Sequence, residues 1–74
     1  MNLRYAVIFE QADHNWAAYV PDLPGCITTG QTLEETQNNI QEAIAGHVRV
    51  LREFGEPIPE PKTVAREVEI KPAA

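Results

Sequence analysis

Between residues 19 and 35 the chain carries a punctuating residue wherever its backbone can change direction or type. Pro21 and Pro24 lack an amide N–H and hold φ at about −65°, so a ladder arriving through Tyr19 and Val20 must stop there. Gly25 can take the positive φ that a tight reversal needs, and Asp22 can bond the local backbone. Cys26-Ile27-Thr28-Thr29 is a short β-prone run closed by Gly30. Thr32-x-x-Glu35 is a capping box, whose hydroxyl satisfies an orphan helix N–H while its carboxylate reaches back. Strand end, turn, strand and helix start therefore follow one another within a single stretch.

The flanking sequence extends this frame. Residues 3–10 alternate, with Leu3, Tyr5, Val7 and Phe9 on one side and Arg4, Ala6, Ile8 and Glu10 on the other. Turn formers fill residues 12–15, and residues 16–20 return as a second strand, which with residues 26–29 makes an antiparallel meander. Leu33, Ile40, Ala43, Ile44, His47, Val48, Leu51 and Phe54 recur at helical spacing, predicting a helix over about 33–54. Gly55 suits the position after its end and Pro57 forbids continuation. Gly46, costing ~1 kcal/mol against alanine in mid-helix, marks a close helix–sheet or helix–helix approach.

Residues 56–61 contain Pro57, Pro59 and Pro61 and are expected to be extended and stiff. Residues 63–70 then alternate again, with Val64, Val68 and Ile70 on one face, Arg66 interrupting it, and Glu67 and Glu69 opposite. Charges on both sides predict an edge strand. A right-handed crossover makes it parallel to the first and third strands, in the order 3-2-1-4. The expectation is one α+β domain over residues 1–70, βββαβ and partly ribonuclease H-like, with residues 71–74 as a disordered tail.

A chain of 74 residues is near the lower limit for a self-sufficient core. One helix covers one sheet face, so some apolar residues among Ala6, Ile8, Trp16 and Ala18 require other cover. A homodimer or homotetramer is expected, with Ile8, Trp16 and Ala18 near the contact and Gly46 on a second surface. No apolar run long enough to span a membrane occurs, and Arg4 within an alternating N-terminus is unlike a signal peptide. The lone Cys26 cannot form an internal disulfide, so the default location is the cytoplasm. A formal charge of −5 and a pI near 4.8 argue against a nucleic-acid surface and suit a basic partner.

The residues that carry chemistry have structural explanations. Glu10, Asp13, Asp22 and Glu35 are candidates for a carboxylate metal cluster, but the cap accounts for Glu35, the turn for Asp22 and a hairpin loop for Asp13. His14 sits in a polar turn and His47 on the apolar stripe, neither at metal-ligand spacing. Cys26 has no activating cation or helix N-terminus nearby in sequence. The chain contains no serine. No catalytic, cofactor-binding or metal-ligating set is expected.

Pro21, Asp22, Leu23, Pro24, Gly25 and Cys26, then Thr29-Gly30, then Thr32 with Glu34 and Glu35, carry a resemblance to the HicB-like antitoxin family. An aromatic-rich first hairpin and Ile58-Pro59-Glu60-Pro61 extend it over about residues 5–61. The resemblance implies a non-enzymatic protein that neutralises a small basic messenger-RNA-cleaving HicA-like toxin by covering its active surface. That toxin would have a double-stranded-RNA-binding-like fold and a catalytic histidine. Many relatives append a helix-turn-helix or ribbon-helix-helix segment; this chain stops soon after Ile70, so only weak DNA binding by it alone is expected. Two other readings stand beside it. One is a stand-alone structural or regulatory homo-oligomer; the other is a degenerate ribonuclease H-like metal nuclease, whose fold begins in the same element order.

Overall fold

The computed structural model describes residues 3–73. Three strands, β1 (Ile8–Gln11), β2 (Trp16–Tyr19) and β3 (Ile27–Gly30), precede one helix, α1 (Leu33–Glu53). The strands form an antiparallel sheet in the order β1-β2-β3. Ala12 N–H donates to Asn15 C=O at 2.8 Å, closing the first hairpin. Gln11 pairs with Trp16, and the register runs on through Phe9 with Ala18 to Ile8 with Tyr19. In β2–β3, Ala18 pairs with Thr28 and Tyr19 with Ile27.

Directly paired residues project to the same side of a sheet. Phe9, Ala18 and Thr28 therefore share one face with Trp16, Val20 and Val7, and α1 packs on that side. Ala18, Val20, Leu23, Cys26 and Ile40 form the buried core, with Tyr5, Val7, Phe9, Ala43, Ile44 and Val48 packed around it. The small Ala18 side chain lets the helix approach its strand. The expected placement of Ala18 at an interface is corrected by this register: Ala18 is fully buried beneath α1. Trp16 is half-buried and lies on the same face, not beside Ile8. Ile8 shares the open face with Tyr19 and Ile27.

The helix ends as its sequence dictates. Gly55, at φ 65°, donates to Arg52 C=O at 3.1 Å while Glu56 donates to Leu51 C=O at 2.9 Å. This pair of bonds is the Schellman stop, and its left-handed residue favours glycine. Gly46, in contrast, has no close neighbour: an added Cβ would meet only Arg49 Nη2, at 3.8 Å. No helix–sheet approach within the chain requires a glycine there.

The expected fourth strand does not form in the single chain. No strand follows α1 among the described residues, and the sheet has three strands rather than the order 3-2-1-4. Val64, Val68 and Ile70 are 71%, 82% and 88% exposed. The radius of gyration, 14.8 Å, exceeds the ~11 Å typical of a packed chain of this length because this segment leaves the body. Residues 71–73 of the expected tail are exposed and irregular; residue 74 lies outside the described residues, as do residues 1 and 2 of the expected domain.

Candidate functional site

The stretch 21–26 is built by the backbone and anchored by one side chain. Leu23 N–H donates to Val20 C=O at 3.1 Å, Cys26 N–H to Leu23 C=O at 3.0 Å, and Val20 N–H to Cys26 C=O at 3.1 Å. These bonds close the reversal that Pro21 and Pro24 force. Leu23 is fully buried, which fixes the turn to the core, and Gly25 takes φ 84°. Cys26 is buried as well, and that burial pushes its thiol above the ordinary range, away from thiolate chemistry.

Asp22 does not bond its own turn. Its Oδ2 accepts from Lys62 N–H and Thr63 N–H, both at 2.8 Å, and its Oδ1 accepts the Thr63 hydroxyl at 2.7 Å. The Thr63 hydroxyl foremost, then the Lys62 and Thr63 amides, hold the Asp22 carboxyl below its ordinary value. Tyr5 makes a parallel attachment, donating its hydroxyl to Pro59 C=O at 2.6 Å. Burial first, and the Asp22 charge second, push the Tyr5 phenol above its ordinary value. The Asp22 charge acts on the Tyr5 phenol, so the two clamps lie close together.

At the other end the motif seats the helix. Glu35 N–H donates to Thr32 Oγ1 at 3.0 Å, and Glu35 Oε1 accepts from Gln31 N–H at 2.9 Å. The carboxylate thus reaches one residue further back than the standard box. Thr36 is fully buried and donates its hydroxyl to Thr32 C=O at 2.7 Å. A Cβ on Gly30 would run into Thr36 Oγ1 and lie 2.8 Å from its backbone nitrogen. Only glycine fits under this helix start. Glu34 is exposed in the first turn, where a carboxylate suits the helix dipole. Asn39 Nδ2 bonds Thr29 C=O at 3.0 Å, tying the second helical turn to β3.

The motif residues therefore hold the scaffold, and the sheet face opposite α1 is left uncovered by the helix. Ile8, Tyr19 and Ile27 make a cross-strand apolar row there, with Ile27 64% exposed. Glu10, Ala17 and Thr29 form the next row. Tyr19 and Ile27 were not among the residues expected at an interface. The loop length holds the signal: a four-residue loop between Gln11 and Trp16 pairs odd positions of β1 with even positions of β2. Among the described residues no three His, Cys, Asp or Glu side chains are placed to share a metal ion. Asp22 is committed to Lys62 and Thr63, and Glu35 to the helix cap. The carboxylate cluster considered from sequence is not assembled. No helix among the described residues is long and apolar enough to cross a membrane.

Comparison with known proteins places this geometry. The family described as "HicB_like antitoxin of bacterial toxin-antitoxin system" matches residues 5–72. A UPF0150 protein of Thermoplasma acidophilum is 40% identical over 58 residues, covering 77% of this chain and 84% of that protein. Antitoxin HicB 2 of Photorhabdus laumondii is 37% identical over 62 residues, covering 84% of this chain and 45% of that protein. An uncharacterized 14.9 kDa protein of Haemophilus phage HP1 is 36% identical over 55 residues, covering 74% of this chain and 41% of that protein. The chain thus spans less than half the length of the latter two. Among solved structures, a chain of a HicA3 and HicB3 toxin-antitoxin complex is similar, with a TM-score of 0.69 and 32% identity. That match covers 80% of this chain and 70% of the other.

Proposed function

The chain belongs to the HicB-like antitoxin family of bacterial toxin-antitoxin systems, and from that membership we propose that it binds and occludes a small, basic HicA-like toxin. The observation that carries this reading is the similarity to a chain of a HicA3 and HicB3 toxin-antitoxin complex. The chain's own physics agrees. Its net charge of −5 favours a cationic partner, and the Ile8–Tyr19–Ile27 row supplies an apolar centre for contact. A ribonuclease's RNA-binding surface is cationic, so an acidic protein with an open apolar sheet face is suited to cover it. The protein acts here by binding and not by catalysis. Its carboxylates serve the cap and the clamp, and its thiol is buried. The reading sets it in the cytoplasm with its partner.

Co-expression with the product of the adjacent reading frame tests the proposal. A stable complex that weakens with added salt and is lost in Ile27→Asp and Tyr19→Asp supports it. Ile27 is 64% and Tyr19 39% exposed, and thermal melting of each variant separates loss of the contact from loss of the fold. No complex with a basic neighbour, or a complex indifferent to both substitutions, overturns the assignment of partner or of face respectively. Metal-dependent RNA cleavage by the purified chain alone would instead favour the nuclease reading.

A further inference from the structure

On the reading that the partner is a small, basic toxin, we infer that one of its apolar side chains sits over Gly46, in the groove between β3 and α1. A glycine in the middle of a helix is less stable than alanine, and nothing in the chain requires this one: an added Cβ would meet only Arg49 Nη2, at 3.8 Å. The open space beside it belongs to a groove of ≈ 310 Å³ whose lining includes Gly25, Cys26, Ile27, Gly46, His47 and Val50. Its floor is small, and its walls are apolar and open to water. Ile27 is 64% exposed, Val50 47%, and Phe54, one turn beyond Val50, 75%. Large apolar groups around a smooth floor suit a partner's inserted side chain. Ile27 belongs both to this groove and to the Ile8–Tyr19–Ile27 row, so one partner reaches both by passing over the free edge of β3.

Charge selects this groove for a cationic occupant. Between Tyr5 and Val48 stand Glu10, Asp13, Asp22, Glu34, Glu35 and Glu42, and no lysine or arginine. Two grooves flank the helix. The one on the β1 side, lined by Leu3, Tyr5, Ile44 and Val48, also carries Arg49 and Arg52, which repel a basic protein. No lysine or arginine lines the groove on the β3 side. Glu42 and Glu53, at i−4 and i+7 from Gly46, stand exposed on the same side of the helix. Arg49 is the exception at the rim, reaching toward Gly46 from the β1-side groove that it lines. The β3-side groove also runs toward the C-terminal end of α1, where the helix dipole favours positive charge. A basic protein with an apolar side chain for the groove and cations for Glu42 and Glu53 fits both features.

Substitution at Gly46 separates binding from folding, because the two respond with opposite sign. Gly46→Ala is expected to raise the melting temperature of the free chain by about 4–8 °C through helix propensity. Gly46→Leu fills the groove. Titrated with the purified product of the adjacent reading frame, that variant is expected to bind about tenfold or more weakly than the wild type while still melting cooperatively. Ala45→Leu sets the same side chain on the next residue, which lines the β1-side groove, and is expected to leave the affinity unchanged. A wild-type complex indifferent to Gly46→Leu overturns this seat alone, and so does an equal or greater loss from Ala45→Leu. A Gly46→Ala chain that melts below the wild type would show that the fold itself needs the glycine, and would overturn it too. If Gly46→Leu changes the sedimentation of the free chain and not its complex, the groove belongs to a second copy and the seat is wrong. If the wild type forms no complex at all, the toxin reading falls, and the seat falls with it.

Discussion

Residues 56–63 and residues 64–70 follow the same helix and neither forms a regular element, yet the first run is placed and the second is not. The placed run has no periodicity and three prolines, Pro57, Pro59 and Pro61. It is fixed because Tyr5 and Asp22 offer it a donor and a carboxylate, and because Ile58 and Pro59 are half-buried. The second run has the better strand pattern and stands exposed. An extended segment takes its position from the groups that satisfy its backbone, and its own alternation does no more than state which partner it would accept. Of the two runs, one has found its partner in the same chain; the other stands exposed beside none.

Leu23→Ala breaks the contrast at its root and carries the largest expected effect. The side chain is fully buried and anchors the turn that holds Asp22. Truncation there is expected to cost about 2–5 kcal/mol in chemical denaturation. In the surviving native fraction, residues 62 and 63 should lose their slow amide exchange along with the turn. A loss smaller than that of an ordinary surface substitution would show that the turn is not seated on the core.

Asp22→Asn tests the clamp alone. The amides of Lys62 and Thr63 should exchange faster, and proteolytic cleavage, expected first beyond residue 63, should extend back into residues 56–63. Acid should act like the mutation. The folded carboxyl titrates below its ordinary value, so its contribution is full above the unfolded value of about 4 and is lost as pH falls through the folded value. Protection at both amides is therefore expected to disappear on acidification in the wild type and to be absent already in Asp22→Asn. Unchanged protection in the variant would mean that the prolines alone hold the segment.

Tyr5→Phe removes one hydroxyl and one bond, to Pro59 C=O. The expected loss is about 1 kcal/mol, because the ring keeps its packing and the carbonyl can turn to water. Its double-mutant cycle with Asp22→Asn should show coupling, since both clamps restrain one short segment. Additive losses would divide the placed run into two independent attachments.

These tests also mark what the sequence made legible. The second and third strands, the helix and its two ends are readable because their boundaries have local chemistry, at Pro21, Gly30, Thr32 and Gly55; the first strand, expected over residues 3–10, has no such mark and forms only at Ile8–Gln11. The capping box and the Schellman stop span a few residues and need nothing distant. Asp22 reads as a turn residue in sequence, but its acceptors are spent on Lys62 and Thr63, some 40 residues away. Thr36 was missed because a buried threonine at a helix start has no place in an apolar stripe, although its bond to Thr32 is local. Ala18 was set on the wrong face through register, a property of a loop and not of either strand. The fourth strand was expected on pattern alone, and pattern does not supply a partner edge.

The smallest expected effect belongs to Val68→Ala, and it sharpens the comparison from the other side. Val68 is 82% exposed. In dilute solution the substitution should change stability by no more than about 0.5 kcal/mol, as at any uncommitted surface position. Raising the protein concentration tests whether residues 64–70 take part in the expected homo-oligomer, because association that uses them stabilises the folded chain by mass action. The wild-type melting temperature should climb with concentration and the variant's should climb less. A difference already present in dilute solution would mean that residue 68 has a partner within its own chain, and the two runs after the helix would then differ in degree only. Equal climbs would leave the segment without a role in assembly.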